Sequence, residues 1–249
     1  MDAIGHARMT RSQQKRTLLV SLSENQLIAR LPEDDRLRLL AICEKVALIQ
    51  QIVLAEEGEP VTHVYFPTQG FISLAASVQG SAGVEVGMIG AEGVLGAQVG
   101  LGTATAQFRS RVQGSGMAWR VQADAFCGEI ARSVALRHLL NRYLYVVTVQ
   151  LATSAACMHF HQIGPRLARW LLMCQDRTGS DTFRITHESL ASTLGVRRVG
   201  ITTAASAFQR ADLISYHRGM LRVIDRQGLE EASCGCYAVN EKAHARLLA

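Results

Sequence analysis

What this chain lacks narrows its reading first. No apolar stretch is long and unbroken enough to span a membrane: the best run, Leu139 to Met158, is interrupted by Asn141, Arg142 and Gln150. No signal-peptide core is apparent, because Met1 to Arg16 is polar and basic. No zinc-finger or disulfide pattern exists either. Cys43, Cys127, Cys157, Cys174, Cys234 and Cys236 are scattered through 249 residues. These absences predict a cytoplasmic protein with reduced thiols and no membrane partner. Cys234-Gly235-Cys236 is a close pair, but alone it reads most simply as structural.

Catalytic signatures are missing too. There is no glycine-rich nucleotide fingerprint, no nucleophile elbow and no paired catalytic carboxylate. Glu56-Glu57 falls in an expected turn and reads as solvated. The strand-rich region offers only His63, where metal chemistry of the cupin kind needs clustered histidines and a carboxylate. The expectation is no enzyme and no metal site.

Lysine is absent from Gly164 to Arg226, where every basic residue is an arginine. That segment holds 10 arginines against 5 acids, so its excess of +5 equals the net charge of the whole chain. Arginine at this density suits phosphate and guanine recognition. The 48% hydrophobic content supplies packed cores, and the length fits two modest domains or one large one.

The strongest motif is Ile185 to Ile224, ITHESLASTLGVRRVGITTAASAFQRADLISYHRGMLRVI. Thr186 can cap a helix over His187 to Leu194, with Leu190, Ala191 and Leu194 as its apolar face. Gly195 sits where a tight turn needs positive φ. Ile201, Ala205 and Phe208 face a second helix inward. Arg197, Arg198, Val199, Thr202, Thr203 and Ser206 are then left on its outer side. Leu213–Tyr216 and Met220–Ile224 read as two short strands around His217-Arg218-Gly219, a wing. The whole is a winged helix-turn-helix, with His187, His217 and Arg218 as added phosphate contacts.

The rest of the chain is readable in outline. Residues 1–20 form a basic tail, and Ser21 to Val46 is helical, capped at Ser23 and split by Pro32. From Ala47 to Val121 the pattern is short strands with glycine turns: 46–53, 63–67, 71–74, 84–89 and 111–121. That pattern predicts an antiparallel roll. Asp124 to Met158 is helix, with Ser133 able to cap its main part. Leu140, Leu144, Val147, Leu151 and Met158 follow a heptad-like seam that predicts a two-fold dimer. The fold class is α+β. Its parts are a tail (1–20), a β-roll with N-terminal helices (21–125), a dimerisation helix (126–159), a winged helix-turn-helix (160–226) and a helical tail (227–249).

Together with YFPTQGFISL (Tyr65 to Leu74), VEVGMIGAEGVLG (Val84 to Gly96), RLARWLL (Arg166 to Leu172) and LGVRRVGIT (Leu194 to Thr202), this order resembles the Crp/Fnr family of bacterial transcription regulators. The resemblance covers residues 21–226. It implies a homodimer reading a two-fold symmetric operator in double-stranded DNA, with a signal in the roll repositioning the reading helices. RNA polymerase is a candidate further partner.

The departures are specific. Cyclic-nucleotide-binding members carry a glutamate in the glycine-rich loop, followed by an arginine-serine pair. Here Ala97 follows Gly96. Arg109-Ser110 fits the pair only with an insertion between Val99 and Phe108, and a gapless alignment puts Phe108 at the arginine position. The implied effector pocket is Gly96, Ala97, Gln98, Arg109 and Ser110, and its composition argues against cyclic AMP. Iron–sulfur members use N-terminal cysteines, and Met1 to Ala41 has none. His63, His138, His159 and His161 are haem ligands in name only. In the reading helix, Val199 replaces the family's glutamate and Thr203 its second arginine, which predicts a different operator. The cofactor stays unknown. An effector-independent regulator, and a ligand-binding roll whose C-terminal unit serves protein contacts, remain as alternatives.

Overall fold

A computed structural model describes residues 24–78 and 83–248. The expected tail, the Ser23 cap and the loop tip at 79–82 lie outside the described residues. The chain opens with α1 (Gln26–Ala29) and α2 (Glu33–Ala41), separated at Pro32. Asn25 caps α1: its Oδ1 accepts from the Leu27 and Ile28 amides, and its Nδ2 donates to the carbonyls of Pro67 and Gly93. Fully buried, this one side chain fixes the helix pair onto the roll with every polar atom satisfied.

The roll consists of β1 (Glu44–Leu48), β2 (Val53–Ala55), β3 (His63–Ala76), β4 (Val84–Ile89) and β5 (Arg109–Gln122), all antiparallel. The sheet order is β1-β5-β3-β4, with β2 also on β5. The structure corrects two strand boundaries. The stretch 46–53 is broken by a turn in which Gln51 takes φ 75°. The turn expected at Thr68-Gln69-Gly70 is instead a bulge inside one continuous strand, β3. Glycine makes the bulge feasible. A Cβ on Gly70 would lie 2.3 Å from the Gly114 carbonyl oxygen, and one on Gly116 2.0 Å from that of Gln69. Such separations leave no room for a side chain where the two long strands cross.

A 3₁₀ turn (Ala97–Leu101) precedes β5, and α3 (Ala123–Arg132) follows it. Ser133 then caps α4 (Val134–Phe160), accepting from the Leu136 amide at 3.0 Å. Among the described residues no helix is long and apolar enough to cross a membrane. Gln150 explains one interruption of the apolar run. Its Oε1 accepts from the Met88 amide at 2.7 Å and its Nε2 donates to the Met88 carbonyl, covering backbone groups of the edge strand β4.

Beyond α4 come α5 (Ile163–Thr178), β6 (Thr182–Arg184), α6 (His187–Leu194), α7 (Arg198–Arg210), β7 (Ile214–His217), β8 (Met220–Val223), α8 (Arg226–Ala232) and α9 (Cys236–Leu248). The wing has a third strand, since the order is β6-β8-β7. Three residues are too few for a periodicity to reveal β6. Leu167, Leu171, Leu190, Ile201, Leu221 and Leu229 form the core here, all of them fully buried. Phe71 and Met88 of the roll join that core. α9 runs back along α4, Arg142 donating to the Arg246 carbonyl at 2.9 Å.

Candidate nucleic-acid interface and ligand cavity

Gly195 closes α6 at φ 62°, the left-handed cap that glycine favours, and a Cβ there would lie 3.0 Å from the Val84 side chain of the roll. Ile201 and Ala205 are fully buried and Phe208 nearly so, which fixes the roll angle of α7 on the core. The opposite face is thereby exposed. Arg197 is the N-cap residue, and Arg198, Val199, Thr202 and Thr203 follow on the outer side, with Ser206 half-buried. Val199 is 69% exposed, an apolar side chain offered to solvent on a reading face. Thr202 and Thr203 donate back to the carbonyls of Arg198 and Val199, which holds their methyl groups in place.

His187 is placed differently from the outer set. Its ring stacks on Tyr216 of the wing at 4.5 Å, and its Nδ1 lies 3.1 Å from the Thr202 hydroxyl. Partial burial, aided by Arg198, holds its pKa below the ordinary value. It joins α6, α7 and the wing, its ring held between Thr202 and Tyr216. His217 and Arg218 are exposed at the wing tip. Arg218 and Gly219 take φ 47° and 80°, the two left-handed residues of a tight hairpin between His217 and Met220.

The roll encloses a cavity of about 140 Å³. Gly96, Ala97, Gln98 and Ser110 line it together with Leu74, Ile89 and Phe108, and α4 closes it with Tyr143, Leu144 and Val147. Arg109 is not in this lining. It faces away and meets Glu56 at 3.2 Å, both side chains about half exposed. Strand alternation is the reason: Phe108 and Ser110 point in, so Arg109 must point out. No arginine, lysine, aspartate or glutamate lines the cavity.

The seam residues divide. Leu140 is 3% exposed and belongs to the protomer's own core, within a buried stripe of Leu136, Leu140, Tyr143, Val146, Gln150, Ser154 and Cys157. A heptad spacing describes an inward helix face as well as a seam, and here the inward face claims Leu140. Leu144, Val147, Leu151 and Met158 are half-buried.

The junction between roll and C-terminal domain holds residues that the sequence did not single out. Trp170 Nε1 donates to Glu85 Oε1 at 2.8 Å, and Ser73 donates to the other carboxylate oxygen. Desolvation pushes the Glu85 pKa up to about 7, against the opposing pull of those two hydrogen bonds. Arg177 meets Glu92 at 2.8 Å, with side chains 6% and 14% exposed. At the C-terminal end of α4, Cys157, His161, Cys234 and Cys236 bring four ligand atoms within 4.8 Å of one another. This is the correction to the expected absence of a metal-type cluster. The two pairs lie far apart in sequence, so spacing could not reveal them. His63, His138 and His159 are not part of that group.

Residues 165–232 match the family model of the Crp-like helix-turn-helix domain. In fold the chain is similar to FixK2 from Bradyrhizobium japonicum, at 12% identity and a TM-score of 0.65 over 78% of this chain and 98% of that one. It is also similar to TTHA1359, a CRP/FNR family transcriptional regulator from Thermus thermophilus (16% identity, TM-score 0.59, 76% of this chain and 98% of that one). A third likeness is to CLP, a c-di-GMP responsive global regulator from Xanthomonas campestris, at 16% identity and a TM-score of 0.58, covering 78% and 100% of the two chains. No curated protein matches the chain. With the β-roll and long helix in front of it, this chain carries a Crp-like helix-turn-helix domain within the fold of the Crp/Fnr transcription regulators.

Proposed function

We propose that the chain is a DNA-binding transcriptional regulator that acts as a homodimer on an inverted-repeat operator. The observation that carries this reading is α7: a helix clamped on its buried side by Ile201 and Ala205 and presenting Arg197, Arg198, Val199, Thr202 and Thr203 outward. Arg198 takes the guanine-reading role through O6 and N7, and Val199 contacts a thymine methyl. Arg197 and the wing residues His217 and Arg218 take phosphates, while His187 positions Thr202. Dimerisation uses the half-buried Leu144, Val147, Leu151 and Met158, whose intervals of 3, 4 and 7 repeat along one face of α4.

The cavity of the roll is the entry point for a small-molecule signal. Its lining suits a neutral or apolar molecule, because apart from His63 it is built of uncharged side chains and holds no arginine or lysine for a phosphate. Leu144 and Val147 belong to both the cavity wall and the seam, so a bound molecule pushes directly on the dimer contact.

The test is selection of bound sequences from a random DNA library, at stated salt and with Arg198→Ala in parallel. The expected product is an inverted repeat with half-site centres about one helical turn apart. Arg198→Ala should cost about 1–3 kcal/mol of binding and relax one base position in each half-site. No enrichment by the wild-type chain, with or without neutral ligands, would overturn the reading.

A further inference from the structure

The four donor atoms at the end of α4 come from separate parts of the chain. Cys157 lies in the last turn of α4 and His161 is its C-cap residue. Cys234 lies in the link after α8, and Cys236 opens α9. Cys157 Sγ is 3.5 Å from Cys234 Sγ, and Cys236 Sγ is 3.6 Å from His161 Nδ1. In a tetrahedral zinc site, bonds of about 2.3 Å to sulfur and about 2.0 Å to nitrogen place neighbouring donors roughly 3.5–3.8 Å apart. The two closest pairs here already stand at that separation, and all four atoms lie within 4.8 Å. Donors at such separations are close enough to share a single ion.

The surroundings supply a second, independent observation. Arg166 and Arg169 project from the start of α5, and each is only 9% exposed. Arg166 donates to the Leu194 carbonyl and Arg169 to the Ser154 hydroxyl, both neutral acceptors. Neither has a carboxylate in ion-pair contact among the described residues, and Arg169 Nε is buried without a hydrogen-bond partner. Two buried cations without an ion-paired carboxylate are costly; Glu85 acts on Arg169 without ion-pair contact, and the thiols Cys157 and Cys234 are acidic groups that supply counter-charge to Arg166. Three thiolates and one imidazole around a divalent cation carry a net charge of −1. The arginines lie on the side of the site where that charge would be felt.

We propose that Cys157, His161, Cys234 and Cys236 bind one thiophilic divalent cation of the zinc class, in a closed tetrahedral site. Binding forms three metal–sulfur bonds and one metal–nitrogen bond and releases the protons of the three thiols. With four protein ligands no position is left for a substrate, so the ion is structural. It ties the end of α4 to the α8–α9 link across the α4–α5 junction at His161-Gln162, where the long helix turns into the DNA-binding domain. This site goes beyond the proposed function and stands whether or not the chain binds DNA.

Cobalt(II) is the probe, because its visible absorption reports both geometry and thiolate ligation. The full chain is purified anaerobically with a thiol reductant, stripped with a chelator and titrated with Co²⁺. The expected result is a sulfur-to-cobalt charge-transfer band and intense tetrahedral bands that saturate at one Co²⁺ per chain and vanish when Zn²⁺ is added. Cys236→Ser, at a half-buried position, should weaken Co²⁺ binding by about tenfold or more. Cys43→Ser and Cys127→Ser should leave the spectrum unchanged. Circular dichroism confirms that each variant is folded. Weak octahedral bands, titration without saturation, or tetrahedral bands that persist in folded Cys236→Ser would each overturn the site. So would a Cys157–Cys234 disulfide that survives the reductant and excludes the ion.

Discussion

The cavity of the β-roll and the junction with the C-terminal domain treat charge in opposite ways. The cavity excludes it: its wall holds no arginine, lysine, aspartate or glutamate, Arg109, next to that wall, turns outward to Glu56, and Glu85 and Glu92 of the roll meet the C-terminal domain instead. The C-terminal domain buries Arg166, Arg169 and Arg177 on one helix, α5, and directs Arg177 into the junction with the roll. On the proposed function, a ligand in the roll is sensed by shape and packing. The domain junction is held by charged and hydrogen-bonded contacts, which break abruptly when one partner is lost.

The sharpest test of that contrast is Arg177→Met. It leaves Glu92 buried without its cation and should lower unfolding stability by about 3–5 kcal/mol, measured by urea denaturation. Adding Glu92→Gln should recover much of the loss, since the uncompensated charge is then gone. If the single variant matched wild type, the junction would not depend on charge.

A smaller effect, visible only against pH, is expected at Glu85. Its folded pKa of about 7 lies above that of an unfolded glutamate, so the folded state holds a proton that the unfolded state has already released. Stability therefore falls as pH rises from about 4.5 to about 7 and levels off above. Glu85→Gln keeps an acceptor for Trp170 and should flatten this slope. Denaturation midpoints at intervals from pH 5 to pH 8 would show it, and an unchanged slope would remove Glu85 as its source.

The smallest effect belongs to the roll surface. Arg109→Ala removes an exposed pair with Glu56 and should change stability by about 1 kcal/mol or less. It should leave the binding of any neutral cavity ligand unaltered. A large loss of ligand affinity would place Arg109 in the cavity after all and dissolve the comparison.

The C-terminal motif was legible because its requirements are local. Thr186 as cap, Gly195 in the left-handed turn and the inward Ile201, Ala205 and Phe208 are all set by residues within one or two helical turns. The Arg109 question was posed by the sequence and answered by strand alternation, which placed Phe108 on the cavity wall. His187 read as a phosphate contact, but its stacking on the Tyr216 ring of the wing and the burial that lowers its pKa depend on packing that the sequence does not show. Leu140 fitted a dimer seam, and only its neighbours in space show that it is used inside the protomer.

From the sequence alone came the periodicities, the caps and the glycine positions, because each depends on bonded geometry and near neighbours. Tertiary structure alone decided which groups share a low-dielectric site. Glu85 meets Trp170, Arg177 meets Glu92, and Cys157 and His161 meet Cys234 and Cys236 across intervals of more than 70 residues. A separation along the chain carries no information about such meetings. They are fixed by how helices and sheet pack, and the energy of a charge or a thiol depends on what packing places beside it.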